Sequence, residues 1–269
     1  MNPLVALLLG VVEGVTEYLP ISSTGHLILV GHLLGETSEG ADAFDIVIQL
    51  GAILAVVVHY RRLLAERVVG VARRDPASLR LLAALALGFL PTAVVGVLLR
   101  KTIKAHLFGP GPVAAALVVG GVVMIAVELV RARRGAGDAG EVGLERVTPL
   151  RGLAIGLGQC VSMWPGSSRS MCTIVAGQLT GLSTATAAEF SFLLGLPTLG
   201  AATVYEAYKS RHVLGGVGGT SLAIGLVVSF FVAWAVIAAF LAYLKRRGLV
   251  PFGVYRVVLG AVVFLVLVR

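Results

Sequence analysis

The sequence predicts an all-α polytopic membrane protein, and three observations support this fold class. Of the 269 residues, 57% are hydrophobic and 13% are charged, whereas about a quarter of the residues in a typical soluble domain are charged. The mean hydropathy of the whole chain is +0.95. Six apolar segments approach or exceed the roughly 20 residues that a helix needs to cross a bilayer. This composition excludes an ordinary cytosolic enzyme, a disordered chain and a nucleic-acid-binding protein, despite the net charge of +8.

The six predicted transmembrane helices account for most of the apolar residues. They lie at residues 44–60, 81–99, 113–130, 187–205, 221–244 and 249–268. The 34 glycines follow no collagen repeat and instead suit the close packing of helices in lipid. The two cysteines are too few for a disulfide framework. We therefore expect a helical bundle whose helices pack closely inside the bilayer.

Two further apolar stretches, residues 4–34 and 152–182, are interrupted in the middle. The interruptions at 20–26 and 165–170 contain proline and several serines, and each half is too short to cross the membrane alone. Non-helical backbone at membrane depth is tolerated only where it is buried in protein or faces a water-filled cavity. The sequence therefore predicts two re-entrant helical hairpins with polar tips inside the membrane.

The hairpins also indicate an inverted-topology repeat. Ser22-Ser23 after Pro20 aligns with Ser167-Ser168 after Pro165, and each hairpin is followed by three spans. We assign the first repeat to residues 1–135, the second to 150–269 and a connecting cytoplasmic loop to 136–149, within a single integrated membrane domain. Because three is odd, the second repeat enters the membrane upside down. Such repeats are typical of transporters, whose sites lie at the repeat interface.

The distribution of basic residues predicts the orientation. If the loop that begins at Arg61 is cytoplasmic, the cytoplasmic segments contain 14 lysines and arginines and the outer segments contain 6. Cytoplasmic loops carry the excess of positive charge in most membrane proteins. We therefore expect both termini to face the outside.

The first hairpin carries two carboxylates, Glu13 and Glu17, at a spacing of i, i+4. A helix places both on one face. In a low-dielectric setting, one of them should hold a proton or both should share a cation, which makes the pair a candidate metal site. The alternative is a pair that faces a solvated loop, but intramembrane carboxylates are costly and usually functional.

Ser22, Ser23 and His26 follow the break at Pro20. Ser23 and His26 are spaced i, i+3 and can share a helix face, so that a histidine lies near a hydroxyl. This is the composition of an activated nucleophile, and His26 also suits a general acid. The structural alternatives are a serine that only caps the helix and a histidine that only packs in the core.

The second hairpin carries Arg169 in a turn that opens a helix. A helix N-terminus binds anions, and the guanidinium group matches phosphate oxygens. The other candidate substrate-binding residues are Gly166, Ser167, Ser168, Ser170 and Thr173, together with Ser22 of the first hairpin. The alternative is an arginine that only pairs with Glu13 or Glu17. Acids, a serine and a histidine in one hairpin and an anion cradle in the other favour phosphoryl chemistry. No role is assigned to Glu189 or Arg256.

Residues 13–20, Glu-Gly-Val-Thr-Glu-Tyr-Leu-Pro, run into Ser-Ser-Thr-Gly-His-Leu at 22–27, and residues 165–170 read Pro-Gly-Ser-Ser-Arg-Ser. With these motifs the sequence resembles the bacterial undecaprenyl-diphosphate phosphatase family of the bacitracin-resistance type. The resemblance implies hydrolysis of a C55 polyprenyl diphosphate to the monophosphate and inorganic phosphate, which recycles the lipid carrier for cell-wall synthesis and confers bacitracin tolerance. It also implies a multi-pass protein of the bacterial inner membrane with an active site open to the outer side.

The resemblance further implies a divalent cation, Mg²⁺ or Ca²⁺, and functional roles for Glu13, Glu17, Ser23, His26 and Arg169. Ser168 and Thr173 match additional functional positions of the family. Our hypothesis is that Ser23 attacks phosphorus with His26 as base and then acid, and the alternatives are attack by water or by His26.

The expected partners are the polyprenyl diphosphate lipid and the bilayer, and the sequence leaves a homodimer open. The alternative function is a transporter or flippase of a polyprenyl phosphate or of a small anion. It shares the inverted repeat but has no need of the Ser23, His26 and double-glutamate set.

Overall fold

The computed structural model describes residues 1–107, 109–133 and 142–268. Within these ranges, the regular structure is entirely helical and comprises twelve α-helices and two short 3-10 helices. The part of the predicted connecting loop up to residue 141 lies outside the described residues. The part that is described contains a 3-10 helix at Leu144–Arg146.

Six helices are long and apolar enough to cross a membrane. They are α3 (Glu39–His59), α5 (Pro76–Leu107), α6 (Pro110–Arg133), α9 (Thr184–Lys209), α11 (Gly219–Leu244) and α12 (Val250–Leu267). Each overlaps one of the six segments predicted from hydropathy, so the prediction of a helical multi-pass membrane protein is confirmed. Helices α5 and α9 each contain an internal proline, Pro91 and Pro197 respectively.

The two interrupted stretches form pairs of short helices. The first pair is α1 (Pro3–Thr16) and α2 (Ser23–Leu33), and the second is α7 (Pro149–Gln159) and α8 (Arg169–Leu179). A 3-10 helix at Cys160–Met163 extends α7 towards the second break. The longest of the four helices has 14 residues and is about 21 Å long, shorter than the roughly 30 Å hydrocarbon core. Both predicted breaks are therefore present, and the helices are compatible with re-entrant hairpins.

The helix packing is also compatible with an inverted repeat. Helix α1 packs against α11, and α7 packs against α5. If α1 corresponds to α7 and α5 to α11, these two contacts exchange under the predicted two-fold relation. Contacts between α3 and α9 and between α6 and α12 join corresponding helices of the two halves. Each hairpin is thus held by a transmembrane helix of the opposite half.

Small residues allow the hairpin helices to approach these partners closely. Gly152 and Gly156 are spaced i, i+4 on α7, and a Cβ atom on Gly156 would lie 2.3 Å from the carbonyl oxygen of Gly88 on α5. Gly10 and Gly14 have the same spacing on α1 and face α11. Small residues at this spacing let backbones pack together in lipid, where van der Waals contact drives helix association.

Two helices were not predicted from the sequence. Helix α4 (Arg61–Ala72) lies in the connection assigned to the cytoplasm, and α10 (Arg211–Leu214) follows α9. Neither contains a buried residue. After α4, the Asp75 carboxylate accepts hydrogen bonds from the backbone N–H and hydroxyl of Ser78 at the start of α5. These hydrogen bonds lower the pKa of the Asp75 carboxyl.

Candidate active site

The two hairpin tips have the same local structure. Ser22 and Ser168 each precede a helix with positive φ, at 74° and 71°. Each hydroxyl accepts a hydrogen bond from the backbone N–H three residues later, on Gly25 and Met171. Positive φ is uncommon for residues other than glycine, and such strain often marks functional sites. The two N-caps pair Ser22 with Ser168, one residue later than the alignment read from the sequence. In this register, Ser23 corresponds to Arg169 as the first residue of its helix.

The two hairpin tips are in direct contact. The Ser170 hydroxyl of the second tip donates a hydrogen bond to the carbonyl oxygen of Leu19 in the first, at 2.9 Å. Nη2 of Arg169 lies 3.0 Å from Oε1 of Glu17. The guanidinium carbon of Arg169 also lies 5.5 Å from the ring centre of Tyr18, within the range of a cation–π contact. The site is therefore assembled from both halves of the chain.

Glu17 lies at the centre of this contact and is 6% exposed. Its Oε2 atom accepts a hydrogen bond from the Ser23 hydroxyl at 2.7 Å and one from the Gln49 amide at 3.4 Å. Its Oε1 atom pairs with Arg169. A buried carboxylate needs such partners, because an unpaired charge in a low-dielectric interior is costly. Ser23, Glu17 and Arg169 thus form a continuous row of hydrogen-bonded side chains.

Arg169 is fixed from the other side by α9. Its Nη1 atom donates to the backbone carbonyl of Ser191 at 3.0 Å and lies 3.2 Å from the Ser191 hydroxyl. That hydroxyl is 2.6 Å from the hydroxyl of Thr173. A Cβ atom on Gly195 would lie 3.0 Å from Nη2 of Arg169. Thr173 donates to the backbone carbonyl of Arg169 and reaches its guanidinium group through Ser191, and Gly195 leaves the space that this group occupies.

Both ring nitrogens of His26 are hydrogen-bonded, and neither partner belongs to the row of Ser23, Glu17 and Arg169. Its Nδ1 atom is 2.7 Å from the carbonyl oxygen of Ser22, and its Nε2 atom is 2.7 Å from the Tyr255 hydroxyl. Because a carbonyl oxygen only accepts, Nδ1 carries the hydrogen in the neutral ring, and Nε2 accepts from Tyr255. The rings of His26 and Tyr255 are nearly parallel, at an interplanar angle of 6°.

The predicted pairing of Ser23 with His26 is replaced by two separate contacts. The Ser23 hydroxyl donates to Glu17, and the imidazole of His26 binds Ser22 and Tyr255. The i, i+3 spacing would allow Ser23 and His26 to share a helix face. Nδ1 of His26 instead donates to the Ser22 carbonyl, one turn earlier. In the structure, the hydrogen-bond acceptor of Ser23 is therefore a carboxylate.

Glu13 is 1% exposed, and its Oε1 atom is buried without a hydrogen-bond partner among the described residues. The charged groups that interact electrostatically with Glu13 are Glu17, Asp45 and Arg169. Oδ1 of Asp45 is also buried and has no hydrogen-bond partner among the described residues. In that part of the chain, no three His, Cys, Asp or Glu side chains are grouped to hold a metal ion. Mg²⁺, however, is often bound by one or two carboxylates together with substrate phosphates, and Glu13 fits that arrangement.

The remaining candidate residues shape the second tip. Gly166 has a φ of 94°, and a Cβ atom there would lie 2.5 Å from the carbonyl oxygen of Val113. The hydroxyls of Ser168 and Ser170 lie 3.0 Å apart. Because the first N–H groups of a helix have no intrahelical acceptor, the start of α8 supplies donors for an anion beside Arg169. Ser167 contributes its backbone carbonyl, which points away from this side towards α12.

Sequence reasoning missed four residues that contact the site or support it. Gln49, Ser191 and Tyr255 bind Glu17, Arg169 and His26, respectively, and Gly195 makes room for the guanidinium group. Gln49 and Ser191 are isolated polar residues in apolar spans, a weak signal that was available.

Comparison with known proteins identifies the family. The sequence profile described as "Bacitracin resistance protein BacA" matches residues 6–262. The chain belongs to this family. A relative named undecaprenyl-diphosphatase from Sorangium cellulosum is 64% identical over 96% of this chain and 84% of its own length. Proteins of the same name from Rhizorhabdus wittichii and Solidesulfovibrio magneticus are 46% and 48% identical, and the alignments cover 97% of this chain and 96% and 97% of theirs.

The BacA match confirms the resemblance read from the motifs. It spans both hairpin tips, five of the six long apolar helices and most of the sixth, so the site residues from Glu13 to Tyr255 lie inside the family region. The chain is therefore a multi-pass membrane protein of the BacA family, and the row of Ser23, Glu17 and Arg169 lies where its two hairpins meet.

Proposed function

We propose that the chain is an integral-membrane phosphatase that hydrolyses undecaprenyl diphosphate, the C55 polyprenyl diphosphate, to the monophosphate and inorganic phosphate. The observation that carries the proposal is the row formed by Ser23, Glu17 and Arg169, in which contacts of 2.7 Å and 3.0 Å join a nucleophile, a proton acceptor and an anion-binding group. The names of the three relatives support the same reaction.

The location of the row suits this substrate. Its prenyl chain belongs in hydrocarbon, while its diphosphate needs hydrogen-bond donors and positive charge. The two hairpin tips provide such a polar site among apolar helices. The tips are irregular backbone at membrane depth, and such backbone must be enclosed by protein.

Substrate binding would begin by replacing an internal ion pair. Without substrate, Arg169 binds the carboxylate of Glu17. A terminal phosphate offers the guanidinium group more acceptor oxygens, and the N-terminus of α8 adds backbone donors. As Arg169 turns to the phosphate, the Glu17 carboxylate loses its cationic partner and is left to accept the proton of the hydroxyl 2.7 Å away.

In the first chemical step, Oγ of Ser23 attacks the terminal phosphorus. The Oγ–P bond forms, the bond between phosphorus and the bridging oxygen breaks, and undecaprenyl phosphate leaves with the electron pair. The Ser23 proton passes to Glu17. In the second step, water attacks the phosphoserine, the P–Oγ bond breaks and inorganic phosphate leaves with the hydrogens of the water, while Glu17 returns its proton to Oγ of Ser23. The competing routes are direct attack by water or by Nε2 of His26, which carries a lone pair in the neutral ring.

We also propose a divalent cation, Mg²⁺ or Ca²⁺, at this site. Glu13 would hold it, because its Oε1 atom is buried without a partner among the described residues, whereas both oxygens of Glu17 are engaged. When bound, the ion supplies charge neutralisation to the phosphate oxygens.

We further propose that the protein resides in the bacterial inner membrane with the active site open to the outer side. The bias of 14 basic residues on one side to 6 on the other supports this orientation. In that place, the reaction returns the lipid carrier to cell-wall synthesis and raises tolerance to bacitracin.

The test is phosphate release from undecaprenyl diphosphate by the purified full chain in detergent, with Mg²⁺ and Ca²⁺ supplied separately. We expect wild-type activity to be lost in Ser23→Ala and in Arg169→Ala. Ser221→Ala is the matched control, since that serine is also buried but donates to the carbonyl of Met1. If the wild type releases no phosphate but moves a polyprenyl phosphate across liposome membranes, the transporter alternative replaces this proposal.

A further inference from the structure

Arg256 is a buried cation in the last transmembrane helix, to which the sequence assigned no role. It has 0% exposed surface. Its Nη1 atom donates to the carbonyl oxygen of Pro20 at 3.3 Å. Its Nη2 atom donates to the carbonyl oxygens of Gly166 and Ser167, both at 3.0 Å, and of Ala116 at 3.2 Å.

These acceptors belong to three separate parts of the fold. Pro20 is in the first hairpin tip, Gly166 and Ser167 are in the second, and Ala116 is in α6. One guanidinium group therefore ties the two tips to each other and to the transmembrane bundle. Burying an arginine at membrane depth is expensive, and such residues are usually functional. The planar fork of arginine presents several donors in fixed directions, which the single ammonium of lysine does not.

The tie also acts on the anion-binding side of the second tip. In a trans peptide, the carbonyl and the following N–H point in opposite directions. Since Arg256 holds the carbonyl of Ser167, it turns the N–H of Ser168 away from itself. Ser168 immediately precedes Arg169, which begins α8. The orientation of this peptide is thus set from behind by a residue that does not touch the row of catalytic side chains.

A matching space in α6 receives the guanidinium group. A Cβ atom on Gly120 would lie 2.3 Å from Nη2 of Arg256. The preceding residue of α12, Tyr255, binds Nε2 of His26. Two consecutive residues of α12 therefore support both hairpins, one through an imidazole and the other through backbone carbonyls.

We propose that Arg256 is a positioning residue for the phosphatase reaction: it locks the two hairpin tips in the register that brings Arg169 to Glu17 and Ser23. This inference rests on the proposed function. It does not make Arg256 a catalytic residue, since its contacts are with backbone carbonyls on the far side of the tips. Its loss should chiefly lower kcat, because misplaced catalytic groups still allow the prenyl chain to bind.

The first experiment compares Arg256→Lys and Arg256→Met with the wild type in kcat and KM for undecaprenyl diphosphate. We expect kcat to fall by about 100-fold in both, as for a misplacement of about 1 Å, with a much smaller change in KM. Lysine keeps the charge but not the fork. If lysine restores kcat, the residue contributes only its charge and the positioning role is wrong.

The second experiment displaces the guanidinium group without altering Arg256. Gly120→Ala places a methyl group against Nη2, whereas the control Gly111→Ala, on the same helix, meets no atom within 4 Å. We expect Gly120→Ala to lower kcat by at least tenfold and Gly111→Ala to match the wild type. Gly120→Ala with wild-type kcat would contradict the proposal, and this comparison decides it even where Arg256→Met does not fold.

A third measurement separates this inference from the proposed function. In a Trp234→Phe background, Trp164 is the remaining tryptophan; it lies beside the second tip and donates to the carbonyl of Pro112. We expect the emission of Trp164 to shift in Arg256→Lys and Gly120→Ala but not in Gly111→Ala. If the wild type releases no phosphate, the proposed function fails while this shift still tests the tie. Unchanged emission, or a lower melting temperature with unchanged kcat, overturns the inference.

Discussion

The pairing of Arg169 with Glu17 should make a measurable contribution to stability in the absence of substrate. At 3.0 Å and an effective dielectric constant of about 20, the Coulomb attraction is about 5.5 kcal/mol. Desolvation of the two groups opposes it, and Arg169 keeps its contacts with Ser191 when the glutamate is removed. We therefore expect a coupling energy of about 2–3 kcal/mol, at the upper end of the range for residues in one network.

The assay is a double-mutant cycle of Glu17→Gln, Arg169→Met and the double variant, with unfolding of the purified protein followed in detergent. Each single variant leaves a buried group without its ionic partner, whereas the double variant removes both charges. We expect each single variant to be less stable than the wild type and the double variant to be more stable than the sum of the two effects predicts. All three should lack phosphatase activity.

Additive effects of the two substitutions would refute the reasoning. Such a result would mean that solvent or a bound ion, rather than Glu17, neutralises Arg169. It would also remove the step in which substrate displaces the carboxylate from the guanidinium group. The cycle thus tests the geometry of the row independently of catalysis.

Three further predictions concern the groups around this row. Acid quenching during turnover of substrate labelled in the terminal phosphate should trap a phosphoserine at Ser23, mapped by mass spectrometry; a phosphohistidine at His26 would end the serine mechanism. Tyr255→Phe removes one neutral hydrogen bond to His26 and should lower kcat/KM by about tenfold or less. The measurement is the pH profile of kcat/KM, and an unchanged profile contradicts a role for that hydroxyl. Gly195→Ala crowds Arg169 and should reduce activity, while Gly200→Ala, which meets nothing within 4 Å on the same helix, should not.

The fold was largely predictable because membrane insertion leaves strong local signals. Long apolar runs fix the spans, and Pro20 and Pro165 mark the two breaks. Helix α4 (Arg61–Ala72) was not predicted, since its four charged residues out of twelve and lack of a buried face give neither a span nor an amphipathic core pattern.

The site was predictable only as a set of residue types. Glu17, Ser23, His26 and Arg169 stand out because charged and nucleophilic groups are rare in apolar sequence. The hydrogen-bond partners of these residues were harder to predict, because several acceptors compete for each donor. Nδ1 of His26, for example, binds the nearby Ser22 carbonyl. Arg256 was beyond sequence reasoning, since its acceptors are backbone carbonyls of distant segments.

The joined tips explain how a transporter-like architecture suits hydrolysis. Each tip alone would bury charge without compensation, Glu17 in the first and Arg169 in the second. Brought together, they neutralise each other at 3.0 Å and keep the Ser23 hydroxyl against the carboxylate at 2.7 Å. In the proposed mechanism, a diphosphate that enters takes over the role of the carboxylate towards Arg169 and thereby releases the base. The ion pair between Arg169 and Glu17 therefore holds the site together without substrate. In the proposed mechanism, the replacement of Glu17 by phosphate in that pair activates the site.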